Sequence, residues 1–331
     1  MSFPELLFLE SLLKNGDCRS SVIAEVEDAG GKLPIYSVEL GSRDPRAPVL
    51  ALVGGVHGQE KIGSQVVLSY LETWLELLRW DSVAHHLLEK SRLLFLPILN
   101  PVGMKHLRRG NGNRVDLMRN SPVDADAHSL PLVGGHRITR YLPWYRGPEN
   151  GPREPETEAL AAWVRREILP APFSLVLDCH SGYGSVDRLW FPWSHTLQPW
   201  PLVPEAFALK NLLDNTYPNH VYRMEPNSHG YTISGDLWDW LWKEQRHVFF
   251  PLTLEMGSWN WIRKNPIQLI DSLGLFHPIH LHRHKRILRR HITLLDFLHR
   301  AVISHGSWAR PIPGEREGLR EDAMNHWFHD L

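Results

Sequence analysis

Leu52 to Gly63, written LVGGVHGQEKIG, is the stretch whose reading decides the fold. The apolar run that leads into it, Val49 to Val53, has strand length and no polar interruption, the pattern of a β-strand buried on both faces. The run breaks at Gly54-Gly55 and delivers His57 and Glu60, three residues apart, where a helix is expected to start. Side chains three apart on a helical turn share a face, so this imidazole and carboxylate could converge on one point. Both are good Zn²⁺ ligands. The same pair also fits an ordinary helix N-terminus that carries Glu in its first turn, where the macrodipole favours it. The rest of the chain has to decide between these readings.

Three further apolar runs of strand length follow, at 93–99 (LLFLPIL), 173–178 (FSLVLD) and 248–254 (VFFPLTL). Helices are expected from about Glu60 to Leu78, at 155–168, where Pro155 and acids stand at the start and arginines near the end, at 204–214 and at 236–242. Residues 21–27 and 34–40 alternate apolar and polar about Gly30-Gly31, which predicts an antiparallel hairpin at a sheet edge. Asn100 to Asn120, rich in Gly, Asn and Arg, reads as a long surface loop, and loops of that length are often functional. Strands alternating with helices, plus an antiparallel hairpin, predict an α/β fold: a mixed β-sheet with helices on both faces. One domain spanning 1–331 is expected. Residues 1–47 (N-terminal helix and edge hairpin) and 261–331 (C-terminal basic helix and tail) are additions to it.

Formal net charge is −1, which gives no global pull toward nucleic acid or membrane, and neither is expected as a partner. The two cysteines, Cys18 and Cys179, are too few for a disulfide framework and fit a reducing compartment. The N-terminus, MSFPELLFLESLLKNG, carries acids where a signal peptide would be basic and reads as a short amphipathic helix. With no apolar run of membrane-spanning length, a cytoplasmic location is the expectation. Histidines crowd into HPIHLHRHKRILRRH (His277 to His291), but five neighbouring Arg and Lys argue against a metal tract there. Apolar residues at three- and four-residue spacing from Ile287 to Val302 make it an amphipathic helix with a basic outer face.

Ligands of open α/β sheets bind at the carboxyl ends of strands. Here the first buried strand leads to His57 and Glu60, the third to His180, and the fourth to Glu255. His57, Glu60 and His180 would form a three-ligand zinc site with the open position a catalytic metal keeps, and Glu255 would be left as a general base. With these segments in place the chain resembles the zinc metallocarboxypeptidases of the carboxypeptidase A type, over about residues 48 to 260. Asn100-Pro101-Val102-Gly103 is similar to the family's NPxG turn, and Val115 to Asn120 (VDLMRN) to its VDLNRN. Arg146-Gly147-Pro148 and Glu154 to Thr157 match its GP and EPET segment, and Tyr231 to Asp236 (YTISGD) its tyrosine followed by SG. Single motifs of this kind are weak, but these stand together in the family's order.

The resemblance implies a three-layer α/β/α fold, one Zn²⁺ per chain that activates water, and the site roles that follow. His57, Glu60 and His180 hold the metal, and Glu255 is the general base. Arg109, seven residues before Asp116, polarises the scissile carbonyl, with Arg108 as the alternative. Arg119 grips the substrate's terminal carboxylate, Tyr231 closes over the substrate, and Asp116 orients His57. A bacterial-type cytosolic subgroup is suggested, related to succinylglutamate desuccinylase and aspartoacylase. The expected activity is hydrolysis of an amide next to a carboxylate, by a metallocarboxypeptidase. The substrate is a peptide or an acylated amino acid that carries the carboxylate. The alternatives are an N-acyl amino-acid deacylase, a murein-peptide amidase, and a zinc protein that no longer catalyses. Met118 stands where the family has an asparagine beside the clamp arginine, which removes one donor to the carboxylate. Trp238 is expected at the floor of the side-chain pocket, or else in the core.

Overall fold

A computed structural model describes residues 2–126, 129–267, 273–278, 280–309 and 312–329; parts of the expected C-terminal segment, Ile279 among them, lie outside the described residues. In chain order the elements are α1 (Pro4–Asn15), β1 (Arg19–Asp28), β2 (Gly31–Gly41), β3 (Val49–Gly54), α2 (Lys61–Leu77), α3 (Ser82–Glu89) and β4 (Arg92–Leu96). Then come α4 (Pro101–Lys105), α5 (Pro155–Trp163), β5 (Phe173–Ser181), β6 (Arg188–Phe191), α6 (Val203–Thr216) and β7 (Arg223–Pro226). The last are α7 (Leu237–Trp242), β8 (Val248–Met256), α8 (Trp259–Lys264), α9 (Leu281–Ile303) and α10 (Pro313–Trp327). No helix among the described residues is long and apolar enough to cross a membrane.

The strands form one mixed sheet in the order β1-β2-β4-β3-β5-β8-β6-β7. Its centre, β4-β3-β5-β8, is parallel, and β1-β2, β2-β4 and β8-β6 are antiparallel. The parallel strands are the four apolar runs, and every residue of β3, β4 and β5 is buried, as continuous hydrophobic runs require. Their common direction brings the carboxyl ends of β3, β5 and β8 to one edge, with His180 in register with Glu255. Helices cover both faces. On β5, α2 packs on the Cys179 side, where a Cβ on Gly63 would come within 2.1 Å of the Cys179 carbonyl oxygen. On the opposite face α7 reaches Asp178 through Trp238. Helix α9 lies beside α2, with Tyr70 Oη donating to Asp296.

The expected long surface loop is instead largely buried: Asn100, Asp116, Arg119 and Asn120 are all within the fold. Its polar side chains replace secondary structure as backbone partners. Asn100 Oδ1 accepts from Gly103 N, Asn111 Oδ1 from Asn113 and Val115 N, and Asp116 Oδ1 from Met118 N. Short polar side chains favour such local bonds, so a stretch that looks solvated by composition can sit inside. Helix α3 was not expected; Asp81 caps it by accepting from Val83 N at 2.9 Å. The basic helix does not end the chain, because α10 follows and packs by Arg316 on Glu205.

Helix α9 carries two buried histidines that set a pH dependence. His299 stacks edge-on to Trp74 and lies 2.8 Å from Ser91 Oγ, while His291 lies 3.0 Å from Tyr222 Oη. Burial pushes each down to about 4, against about 6.5 for an exposed imidazole. The unfolded chain therefore binds protons that the folded chain refuses between those values, and stability falls as pH drops through that window. The loss is about 3 kcal/mol per histidine. Urea denaturation from pH 8 to pH 4 should show this decline, with a shallower slope in His299→Gln; an unchanged slope would remove His299 from the account.

Candidate metal centre

β3 ends at Gly54, and the turn that follows carries His57 and Glu60 before α2 begins. Glu60 is the N-cap residue of α2, yet its carboxylate makes no capping bond. It turns instead toward His57 Nδ1 (2.8 Å), His180 Nδ1 (3.1 Å) and the Ser181 backbone N–H (3.0 Å). The reading as an ordinary helix start is thereby set aside. The turn is held down by backbone contact with α4: a Cβ on Gly58 would meet the Gly103 carbonyl carbon at 2.0 Å. The segment HGQE thus packs on the NPVG turn and needs glycine at the contact, while Gly103 is required by the close approach of Asn100 and the Gly110 carbonyl.

His57, Glu60 and His180 are all buried, and their ligand atoms lie within 4.8 Å of one another. The two histidines present Nδ1 to Nδ1 at 3.2 Å, with Glu60 between them. Each has its Nε2 on a buried carboxylate: His57 on Asp116 Oδ1 at 3.0 Å, and His180 within 2.8 Å of Asp178 Oδ2. A carboxylate only accepts, so Asp116 fixes the proton of His57 on Nε2 and turns its Nδ1 lone pair inward, while Asp178 lies close to His180 Nε2 as an ion-pair neighbour without hydrogen-bond geometry. Two inward-facing imidazole nitrogens and a carboxylate at one point suit a cation. The donor set of two imidazoles and a carboxylate fits Zn²⁺.

The electrostatics of the cluster follow from this crowding. Burial works against ionisation of Glu60, but His57 and His180 overrule it and hold the carboxyl well below the usual range. Asp116 is likewise held down, against burial, by Arg109 and His57. His180 is pushed up by Asp178 and Glu60 despite burial. Glu255 goes the other way: burial and the negative charge of Glu60 raise it to about 8. A dication at the cluster would oppose that rise. Glu255 Oε1 accepts the Tyr183 backbone N–H at 2.9 Å.

One cavity of about 540 Å³ gathers every residue singled out for metal binding, catalysis or substrate contact: His57, Glu60, Arg109, Arg119, His180, Tyr231 and Glu255 all line it. Asp116 stands behind His57 and anchors Arg109, accepting from its Nε at 2.7 Å. Of the two candidate arginines Arg109 is at the site, with Nη1 3.4 Å from Glu60, while Arg108 is exposed and lines a different cleft. Arg119 is buried, its Nε has no hydrogen-bond partner, and among the described residues no carboxylate pairs with it. Of the two places expected for it, Trp238 takes the core. It does not line the cavity but sits behind the site, donating from Nε1 to Asp178 Oδ2 at 2.9 Å. Asp178 and Trp238 were therefore missed as supports of His180; the spacing of Asp178 two residues before His180 on a strand, hence on the same face, was the available signal. Cys179 faces away from His180, and burial pushes its thiol well above the usual range, so it is no nucleophile.

Residues 22–267 match the model of the zinc carboxypeptidase family. Carboxypeptidase SOL1 of Arabidopsis thaliana is 25% identical over 299 residues, covering 80% of this chain and 55% of that one. Carboxypeptidase D of Rattus norvegicus is 23% identical over 273 residues, 77% of this chain and 18% of the relative. The chain thus spans about half, or less, of the length of these relatives. Among solved structures, thrombin activatable fibrinolysis inhibitor superposes with a TM-score of 0.66 at 17% identity, over 91% of this chain and 72% of that one. That likeness is one of fold. The match of the family model over most of the chain, on the residues that build the cluster, makes this chain a member of the zinc carboxypeptidase family.

Proposed function

We propose that the chain is a zinc-dependent carboxypeptidase that hydrolyses the amide bond next to a terminal carboxylate. The observation that carries this reading is Arg119, a buried guanidinium without an ion-pair partner in the same cavity as the His57–Glu60–His180 cluster. A buried cation is costly unless paired, and a substrate carboxylate supplies the missing partner. Arg119 then fixes the end of the substrate, and the distance from clamp to cluster selects the last amide. Met118, buried beside it, offers no hydrogen bond to the carboxylate, so Arg119 holds it with fewer donors than the family pattern provides.

Zinc held by His57, Glu60 and His180 would supply a Lewis acid at the scissile carbonyl. Arg109, held by Asp116, presents its remaining N–H groups to the oxygen on which charge develops. Glu255, with one oxygen on Tyr183 N–H and the other free, takes a proton from the attacking water and passes it to the leaving nitrogen. Tyr231, at the cavity wall and partly exposed, hydrogen-bonds the bound substrate. We read the whole chain as one catalytic domain, since α9 and α10 pack on the same sheet-and-helix body. The two free cysteines support a reducing, cytoplasmic setting.

The test is a substrate panel on zinc-loaded protein: peptides with a free C-terminus, the same peptides amidated, and N-succinyl and N-acetyl amino acids. Release of the C-terminal residue from the free peptides, with the amidated ones at least about a hundredfold poorer for want of the Arg119 pair, is expected. Hydrolysis of the acyl amino acids alone would overturn the peptidase reading in favour of a deacylase.

A further inference from the structure

A second cavity, of about 450 Å³, lies between α8, α9 and the backbone that follows Glu255. Lys264 of α8 and Arg283, Arg286 and Arg290 of α9 line it, and so does a single carboxylate, Asp187. The three arginines recur at spacings of three and four, so one face of α9 presents them together. Asp187 is already committed: its Oδ2 accepts from Arg290 Nη1 at 2.6 Å and its Oδ1 from the Gly257 backbone N–H at 2.9 Å. Arg283 uses one N–H on the Trp261 carbonyl at 3.0 Å. Among the described residues, the Lys264 and Arg286 side chains have no hydrogen bond or ion pair within the protein. Four cations against one occupied carboxylate leave a concave site with strong positive potential.

Like charges at three- and four-residue spacing destabilise a helix, and a concave wall concentrates their field. Here Arg283 and Arg290 are half-buried in the wall of a partly open cleft, with the exposed side chains of Lys264 and Arg286 at its mouth, and its volume is of the size that small-molecule sites have. Planar guanidinium forks match phosphate oxygens, and the ammonium of Lys264 adds a point charge. We propose that this cavity binds a phosphate-class anion, supplied by a soluble polyphosphate or phosphate ester or by the headgroup of an anionic lipid. Exposed Trp259 and Leu281, chain neighbours of the lining residues Asn260 and His282, would give the lipid source its apolar anchor. The site is independent of the zinc cluster and of the substrate assigned to it.

The experiment is calorimetric titration of zinc-loaded protein with pyrophosphate, beside co-sedimentation with phosphatidylcholine vesicles with and without phosphatidate. Binding of either probe is expected, and Arg286→Glu and Lys264→Glu should each weaken it about tenfold or more. Arg320→Glu, an exposed position on α10, should leave it unchanged. Zinc stripping by pyrophosphate would be equal in all variants, so only the part that responds to Arg286 and Lys264 counts. Pyrophosphate binding identifies a soluble source, and binding to phosphatidate vesicles alone a lipid one. Arg286→Gln, with unchanged circular dichroism and melting temperature, guards against a folding defect. Failure of both probes to bind, or affinity unchanged in the Arg286 and Lys264 variants, would overturn the proposal.

Discussion

Glu255→Gln should lower kcat by about 10²–10⁴-fold, the span that a positioned general base contributes, while KM and bound zinc stay near their original values. The substitution keeps shape and the bond from Tyr183 N–H, since the amide oxygen still accepts. What it removes is the proton-accepting oxygen, so the loss falls on the chemical step. Glu255 is not among the three residues whose ligand atoms converge, so metal content is not expected to follow activity. That separation is what gives the variant its value. Metal analysis and steady-state kinetics on the same preparation check it. A Glu255→Gln protein with full zinc and undiminished kcat would strip Glu255 of the role of base.

His57→Ala and His180→Ala should go further and lose both metal and activity. Each takes one of three inward-facing donors and leaves its partner carboxylate, Asp116 or Asp178, buried with its neighbour gone. Removing a supporting carboxylate costs about 10–100-fold in metal affinity, and removing a ligand itself should exceed that. Asp178→Asn is the informative intermediate, because it leaves His180 in place and removes the negative charge beside its Nε2. Zinc affinity measured with a competing chelator should rank the wild type above Asp178→Asn and Asp178→Asn above His180→Ala. Zinc content unchanged in both alanine variants would remove these histidines from the centre.

Much of this arrangement could be read before any coordinates. The four apolar runs were legible because strands buried on both faces need uninterrupted hydrophobic residues, and the convergence of His57, Glu60 and His180 was legible because parallel strands bring their ends to one edge. The loop from Asn100 to Asn120 was misread for a physical reason. Asn100, Asn111 and Asp116 spend their side chains on backbone N–H groups inside the fold, and composition alone does not distinguish that from solvation. Trp238 was left between pocket floor and core because spacing from Tyr231 gives chain position but not the direction of an indole, which here lies in the core and turns to Asp178. Asp178 itself hid in an apolar strand, where its pairing with His180 becomes visible only once both are seen on one face of β5. Helix α3 was missed because it is short, with Asp81 as its one clear start signal.

The central claim, that one metal ion held by His57, Glu60 and His180 makes this chain a peptidase, is tested most directly by titrating metal-free protein with Zn²⁺. Calorimetric heat and release of a C-terminal amino acid from a free peptide would be followed in parallel. The account predicts that both saturate together at one zinc per chain and that chelation reverses both. Peptide hydrolysis at full rate in the metal-free protein, or zinc binding that persists unchanged in His180→Ala, would contradict it.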